Sequence, residues 1–116
     1  MGTKNNPGKF DCYNKLEPDE PHFVVMGRDA VGWVAVLMWI GSRLEMATVQ
    51  ATPMSQEEID KLLEARDCAR AMYDWAKARG KTEIIEAFVK ASPFGEVTQL
   101  FEMTDEEFLR GRSPTP

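Results

Sequence analysis

The sequence predicts a mainly α protein, a small helical bundle built around two long helices. Three observations carry that expectation. Ala30 to Ile40 is an apolar run without a charge. Positions 56–79 carry an apolar stripe at helical spacing between a capping signal and a glycine. Strand character is minor, and His22–Met26 is its β-branched and aromatic example. The chain has 116 residues, of which 43% are apolar and 28% charged. That balance excludes wholesale disorder and supplies one core.

Residues 1–21 are punctuated by Gly2, Pro7, Gly8, Pro18 and Pro21 and carry few apolar side chains. Positions 1–10 are expected to be a flexible tail, and a single helical domain is expected over 11–110. Phe10, Tyr13 and Leu16 are expected to tether the entering segment to the body. His22-Phe23-Val24-Val25-Met26, after Pro21, reads as at most a minor β element near 22–26. An isolated strand is not stable, so this run either pairs across a dimer or is merely extended.

Gly27-Arg28-Asp29 breaks the pattern, and Asp29 is placed to cap a helix over about 30–46. That helix is apolar in every direction, with Val31, Trp33, Val34, Val36, Leu37, Met38, Trp39 and Ile40. Such a helix is either wrapped by the rest of the bundle or lends one side to an interface, here around Trp33 and Ile40. It offers about a dozen apolar residues where a membrane span needs roughly 20. A core helix is the better reading.

The second long helix is expected over about 56–79. Ser55 and Glu58 form a capping box, and Met54 and Ile59 a hydrophobic staple. Leu62, Ala65, Ala69, Met72, Tyr73 and Ala76 continue the stripe, and Gly80 is a natural stop. A short helix is expected after Thr82, using Ile84, Ile85, Phe88 and Val89. Ser92 and Pro93 could open another. Residues 93–103 fit either a helix or a strand. Thr104 and Glu107 repeat the capping box, with Met103 and Phe108 as its staple, and 111–116 read as a second flexible tail.

The net charge is −5, and −3 of it falls within 96–116. No basic block is present, so direct nucleic-acid binding is not expected. The chemical inventory is thin. His22 is the only histidine, and Cys12 and Cys68 lie far apart in sequence, so no metal site is expected. Gly27, Gly32 and Gly41 fit neither a phosphate-cradling loop nor a dinucleotide fingerprint, and no cofactor is expected. Cys68 follows Asp67, which would raise its pKa rather than activate it. Met1–Lys9 is polar and has no apolar segment of a secretory signal, so a cytoplasmic setting with reduced thiols is expected.

The most site-like polar residues, Asp19, Glu20, Arg28 and Asp29, bracket the 22–26 run. Along a straight strand Glu20 and Arg28 would stand roughly 26 Å apart. They form one site only if the chain bends or a second subunit supplies one of them. The bland alternative has Asp29 capping a helix, Arg28 paired with a nearby acid, and Asp19-Glu20 in a turn between prolines.

Asp11-Cys12-Tyr13, the segment Pro18-Asp19-Glu20-Pro21-His22-Phe23-Val24 and Arg28-Asp29, followed by an apolar helix with Trp39, resemble a family of small bacteriophage and prophage proteins. The likeness covers roughly residues 11–79, and Gly32 and Gly41 depart from it. It implies a phage-type cytosolic accessory protein and carries no catalytic residue. The resulting expectation is a non-enzymatic protein-interaction module that binds a host protein, acts as a homodimer, and uses Asp19, Glu20, Arg28, Asp29, Trp33 and Ile40. The alternative is a small-ligand binder or minor enzyme with a pocket near Glu20, His22, Arg28 and Asp29.

Overall fold

The computed structural model describes residues 1–91 and 95–109. The fold is small and mainly helical, and no strand occurs among the described residues. Among the described residues four α-helices follow one another: α1 (Gly32–Gln50), α2 (Gln56–Ala76), α3 (Thr82–Ala91) and α4 (Asp105–Leu109). A 3-10 stretch, Gly95–Glu102, precedes α4, which resolves that region against a strand. The proposed cap and first turn at Ser92 and Pro93 lie outside the described residues.

Helices α1 and α2 form an antiparallel hairpin. The start of α1 meets the end of α2, where a side chain on Gly32 would come within 3.0 Å of Met72. Toward the other end Arg43 is paired with Glu58. The facing stripe of α2 is small where α1 crosses it. Ala65, Ala69 and Ala76 are fully buried and let the backbones approach, while Leu62 and Met72 fill the space between. Ser55 caps α2 as its sequence demands, its Oγ accepting from the Glu58 N–H at 3.1 Å.

Helix α1 is displaced from its expected range. Asp29 does not cap it. Its carboxylate instead accepts the Val31 N–H at 2.9 Å, an Asx turn that holds Ala30 and Val31 out of the helix. At the far end the helix runs on through Ala47–Gln50 and stops where Ala51 turns left-handed at φ 53°. Helix α2 ends at Ala76, short of position 79. A π-type turn, Lys77–Lys81, then kinks at Arg79 and Gly80, where Gly80 takes φ 87° and the chain restarts as α3.

Trp33 is the centre of the core, with no exposed surface. Its ring meets Tyr73 edge-on at 5.0 Å and Phe101 at 6.0 Å, and its indole N–H donates to the Ala30 carbonyl at 2.8 Å. Ile85 of α3 and Phe108 of α4 complete the same buried cluster.

Residues 1–10, expected as a tail, are hydrogen-bonded to α2 in this structure. The Lys9 and Phe10 N–H groups donate to the Glu64 carboxylate, and Phe10 is buried. Leu16 is half-buried, whereas Tyr13 stands exposed.

Candidate functional site

Only one side of α1 is covered. Trp33, Val34, Leu37 and Ile40 face α2, and Val31, Ala35, Met38, Trp39, Met46 and Val49 remain open to solvent. The helix is therefore not wrapped by the bundle. Its solvent-exposed side is also not the one expected. Trp33 and Ile40, placed by sequence on an interface, are inside the chain's own core, at 0% and 1% exposure.

The extended segment at 22–26 runs beside this open side. Between them lies a groove of about 560 Å³, walled by Phe23, Val24 and Val25 on one side and by Ala35, Val36 and Trp39 on the other. Phe10 and Cys12 close one end, and Lys61 contributes a charge. Phe23 is 87% exposed and Val24 65%, the most concentrated apolar exposure on the described surface. The segment comes close to α1 at Gly32. A Cβ on Gly32 would meet Val25 Cγ1 at 2.8 Å and the Met26 carbonyl at 3.0 Å, so a glycine is needed where the strand-like run crosses the start of α1.

The polar residues singled out in the sequence are not gathered into a pocket. Asp19, Glu20, His22, Arg28 and Asp29 are all exposed, and none lines this groove or the smaller one of about 160 Å³ beside Arg43 and Glu58. Glu20 folds back to accept the Glu17 N–H at 3.0 Å. His22 rests edge-on against Tyr13. Among the described residues Arg28 has no ion pair, so the nearby acid expected for it is not engaged.

Sequence reasoning missed Glu64, which holds Phe10, one of the groove's lining residues, by its backbone. Its two carboxylate oxygens accept consecutive N–H groups from Lys9 and Phe10, at 2.9 and 3.1 Å, and the terminal ammonium of Met1 lies 3.4 Å away. Burial alone would push the Glu64 pKa up. The two backbone donors and the ammonium outweigh burial and hold it below its ordinary value of 4.5. Gly8 makes the approach possible. It sits at φ 84°, and a Cβ there would meet the Met1 carbonyl at 2.2 Å and Glu64 Oε2 at 2.8 Å.

A depressed carboxylate pKa stabilises the folded state above the unfolded pKa and loses that effect as pH falls through the folded one. Acidification below about 4.5 is therefore expected to loosen the 1–10 segment. Glu64→Gln should lower stability at neutral pH and flatten the acid limb of a plot of melting temperature against pH. An unchanged acid limb in that variant would sink this account.

The thiols differ in the same way. Cys12 is exposed at the groove, while Cys68 is half-buried and its pKa is raised, chiefly by burial and further by the Glu64 charge. The neighbour Asp67, expected to raise it, is not among the causes. In the native protein Cys12 is expected to react with a thiol reagent at least tenfold faster than Cys68, read by peptide mass spectrometry over time. Equal rates would place Cys68 at the surface.

No cluster of three or more His, Cys, Asp or Glu able to hold a metal occurs among the described residues, and no described helix is long and apolar enough to cross a membrane. Compared with family models, curated proteins and solved structures, the chain finds no match.

Proposed function

We propose that this protein is a non-enzymatic interaction module, a phage-type accessory protein that binds a host protein through the apolar groove and works as a homodimer in the cytoplasm. One observation carries this reading: Phe23, Val24, Met38 and Trp39 stand exposed together along α1 and its neighbouring segment. Exposed apolar groups gathered in one place, beside a groove rather than scattered, mark a surface that another macromolecule covers. Aromatic residues and methionine suit such a surface because they supply area and adapt to a partner. Of the six residues expected to bind, Trp33 and Ile40 support this surface from beneath. Asp19, Glu20, Arg28 and Asp29 flank its strand-like wall.

The test is a tagged pull-down from bacterial lysate with mass spectrometry of proteins and small molecules. It compares the wild-type chain with Phe23→Asp/Trp39→Asp. The expected result is one stoichiometric protein retained by the wild type and lost by the variant, with both folded by circular dichroism. A partner held equally by the variant moves binding away from the groove. A retained small molecule without a protein would replace this reading with ligand binding.

A further inference from the structure

We infer that residues 22–26 of two copies of this chain pair as an antiparallel ribbon centred on Val24, and that Glu20 of each copy then meets Arg28 of the other. The inference rests on the homodimer reading above and says how the dimer is built.

Backbone chemistry leads to it. His22–Met26 carries no helix, turn or bend, and among the described residues no backbone–backbone hydrogen bond is made by the C=O groups of Pro21 to Val25 or the N–H groups of His22 to Val25. The side chains are Phe, Val, Val and Met after a histidine, a composition that fits a paired strand and not a solvated loop. An unpaired edge carrying exposed apolar groups is a template for a second strand. Pairing satisfies the backbone groups and brings Phe23 beside Val25 of the other copy, while the groove wall along Trp39 stays open. Pro21 lacks an N–H and stands just before the run, where a ladder tolerates it.

Charge selects the register and a second copy as occupant. A two-fold axis perpendicular to an antiparallel pair places one residue opposite its own copy. Centred on Val24, the axis sets His22 against Met26 and Phe23 against Val25. Glu20 and Arg28 each lie four residues from that centre, so opposite charges meet at both ends of the ribbon. Two-fold pairing centred on Phe23 or Val25 loses this match. The chain turns between Met26 and Asp29, with the Asp29 N–H on the Met26 carbonyl at 3.0 Å. That turn takes the Arg28 backbone off the line of the ribbon, so the contact with Glu20 uses the length of the exposed Arg28 side chain, while the Asp29 carboxylate stays on the Val31 N–H. Glu20 keeps a free oxygen, since only Oε1 accepts from Glu17. Neither Glu20 nor Arg28 has an ion pair among the described residues, and pairing two copies supplies one to each.

Cysteine cross-linking tests the register in a Cys12→Ser/Cys68→Ala background. Directly opposite residues have Cβ atoms about 4.5–5.5 Å apart, close to disulfide geometry. Val24→Cys should form a covalent dimer on mild oxidation. Met26→Cys should not, since residue 26 of the two copies would be displaced by four residues along the ribbon. Light scattering across a dilution series should give twice the chain mass for the wild type and, for Arg28→Glu, a dimer that dissociates at a higher protein concentration. The double variant Glu20→Arg/Arg28→Glu should restore the dimer. A dimer in which Val24→Cys fails to cross-link, or in which Met26→Cys links equally well, overturns the ribbon and leaves the homodimer standing on another face. A wild-type monomer at about 100 μM overturns both. A monomer that captures a partner protein lost on Val24→Pro would assign the strand edge to that partner instead.

Discussion

Trp33→Ala is expected to destabilise the chain by about 3–5 kcal/mol, the cost typical of removing a buried large aromatic side chain. Domains of this size have total stabilities of roughly 5–15 kcal/mol, so the variant should be largely or marginally unfolded. The indole is fully buried, and it is packed against Tyr73 of α2 and Phe101 of the 3-10 stretch. Its removal leaves a void where two elements meet and frees the Ala30 carbonyl that anchors the start of α1. Chemical denaturation followed by far-ultraviolet circular dichroism measures the loss. Trp33→Phe should recover more than half of it, because an aromatic ring then still occupies the site and only the N–H donor is missing. A loss under about 1 kcal/mol for the alanine variant would mean that the ring is not seated between α2 and Phe101. Trp33→Glu, a tempting interface probe from the sequence alone, would report on folding and not on association.

Local signals in this sequence were legible because they act over three or four residues. The Ser55 and Thr104 caps both form as their spacing demands. The Thr104 Oγ accepts the Glu107 N–H at 3.1 Å, and the Glu107 carboxylate returns to the Thr104 N–H at 3.0 Å. The α2 stripe is buried where expected, and Gly80 takes the positive φ expected of it. What failed was direction around α1. A helix apolar on every side gives no periodic contrast, so the choice of Trp33 and Ile40 as its outer side had no support in the pattern. Its few polar positions held the missing signal. Ser42 and Glu45 share a side with Ala35, Met38 and Val49 at spacings of three and four residues, and that side is the exposed one. Asp29 is a second case. An aspartate two residues before a turn can close an Asx turn as readily as it can cap a helix, and the tight crossing at Gly32 favours the former. The Glu64 clasp was illegible for a plainer reason: a carboxylate on a helix face gives no sign of which distant backbone amides will reach it.

Phe108 tests whether the C-terminal elements belong to the same cooperative unit as the α1–α2 hairpin. The five-residue helix that bears it is too short to persist without tertiary contacts. Phe108 is 1% exposed, and the Arg66 guanidinium of α2 stacks on its ring at 4.4 Å. Arg66 also donates to the Met103 carbonyl at 3.2 Å and pairs with Asp105, so one side chain grips the staple residue, the helix start and the ring together. The salt bridge adds little by itself, since Asp105 is mostly exposed. The aromatic burial carries the attachment. Phe108→Ala is expected to cost about 3–5 kcal/mol if the bundle unfolds as one unit. It would cost less in global melting if α4 detaches alone. Hydrogen exchange separates these results. Cooperative loss speeds exchange at Leu62 and Ala69 as well as at Phe101. Local detachment speeds it only in 99–109 and leaves α2 protected. Because Phe101 touches both Trp33 and Tyr73, the ring cluster couples the C-terminal segment to the core, and the cooperative result is the expected one. Unchanged exchange in α2, with 99–109 fully open, would show that the hairpin stands without its C-terminal cover.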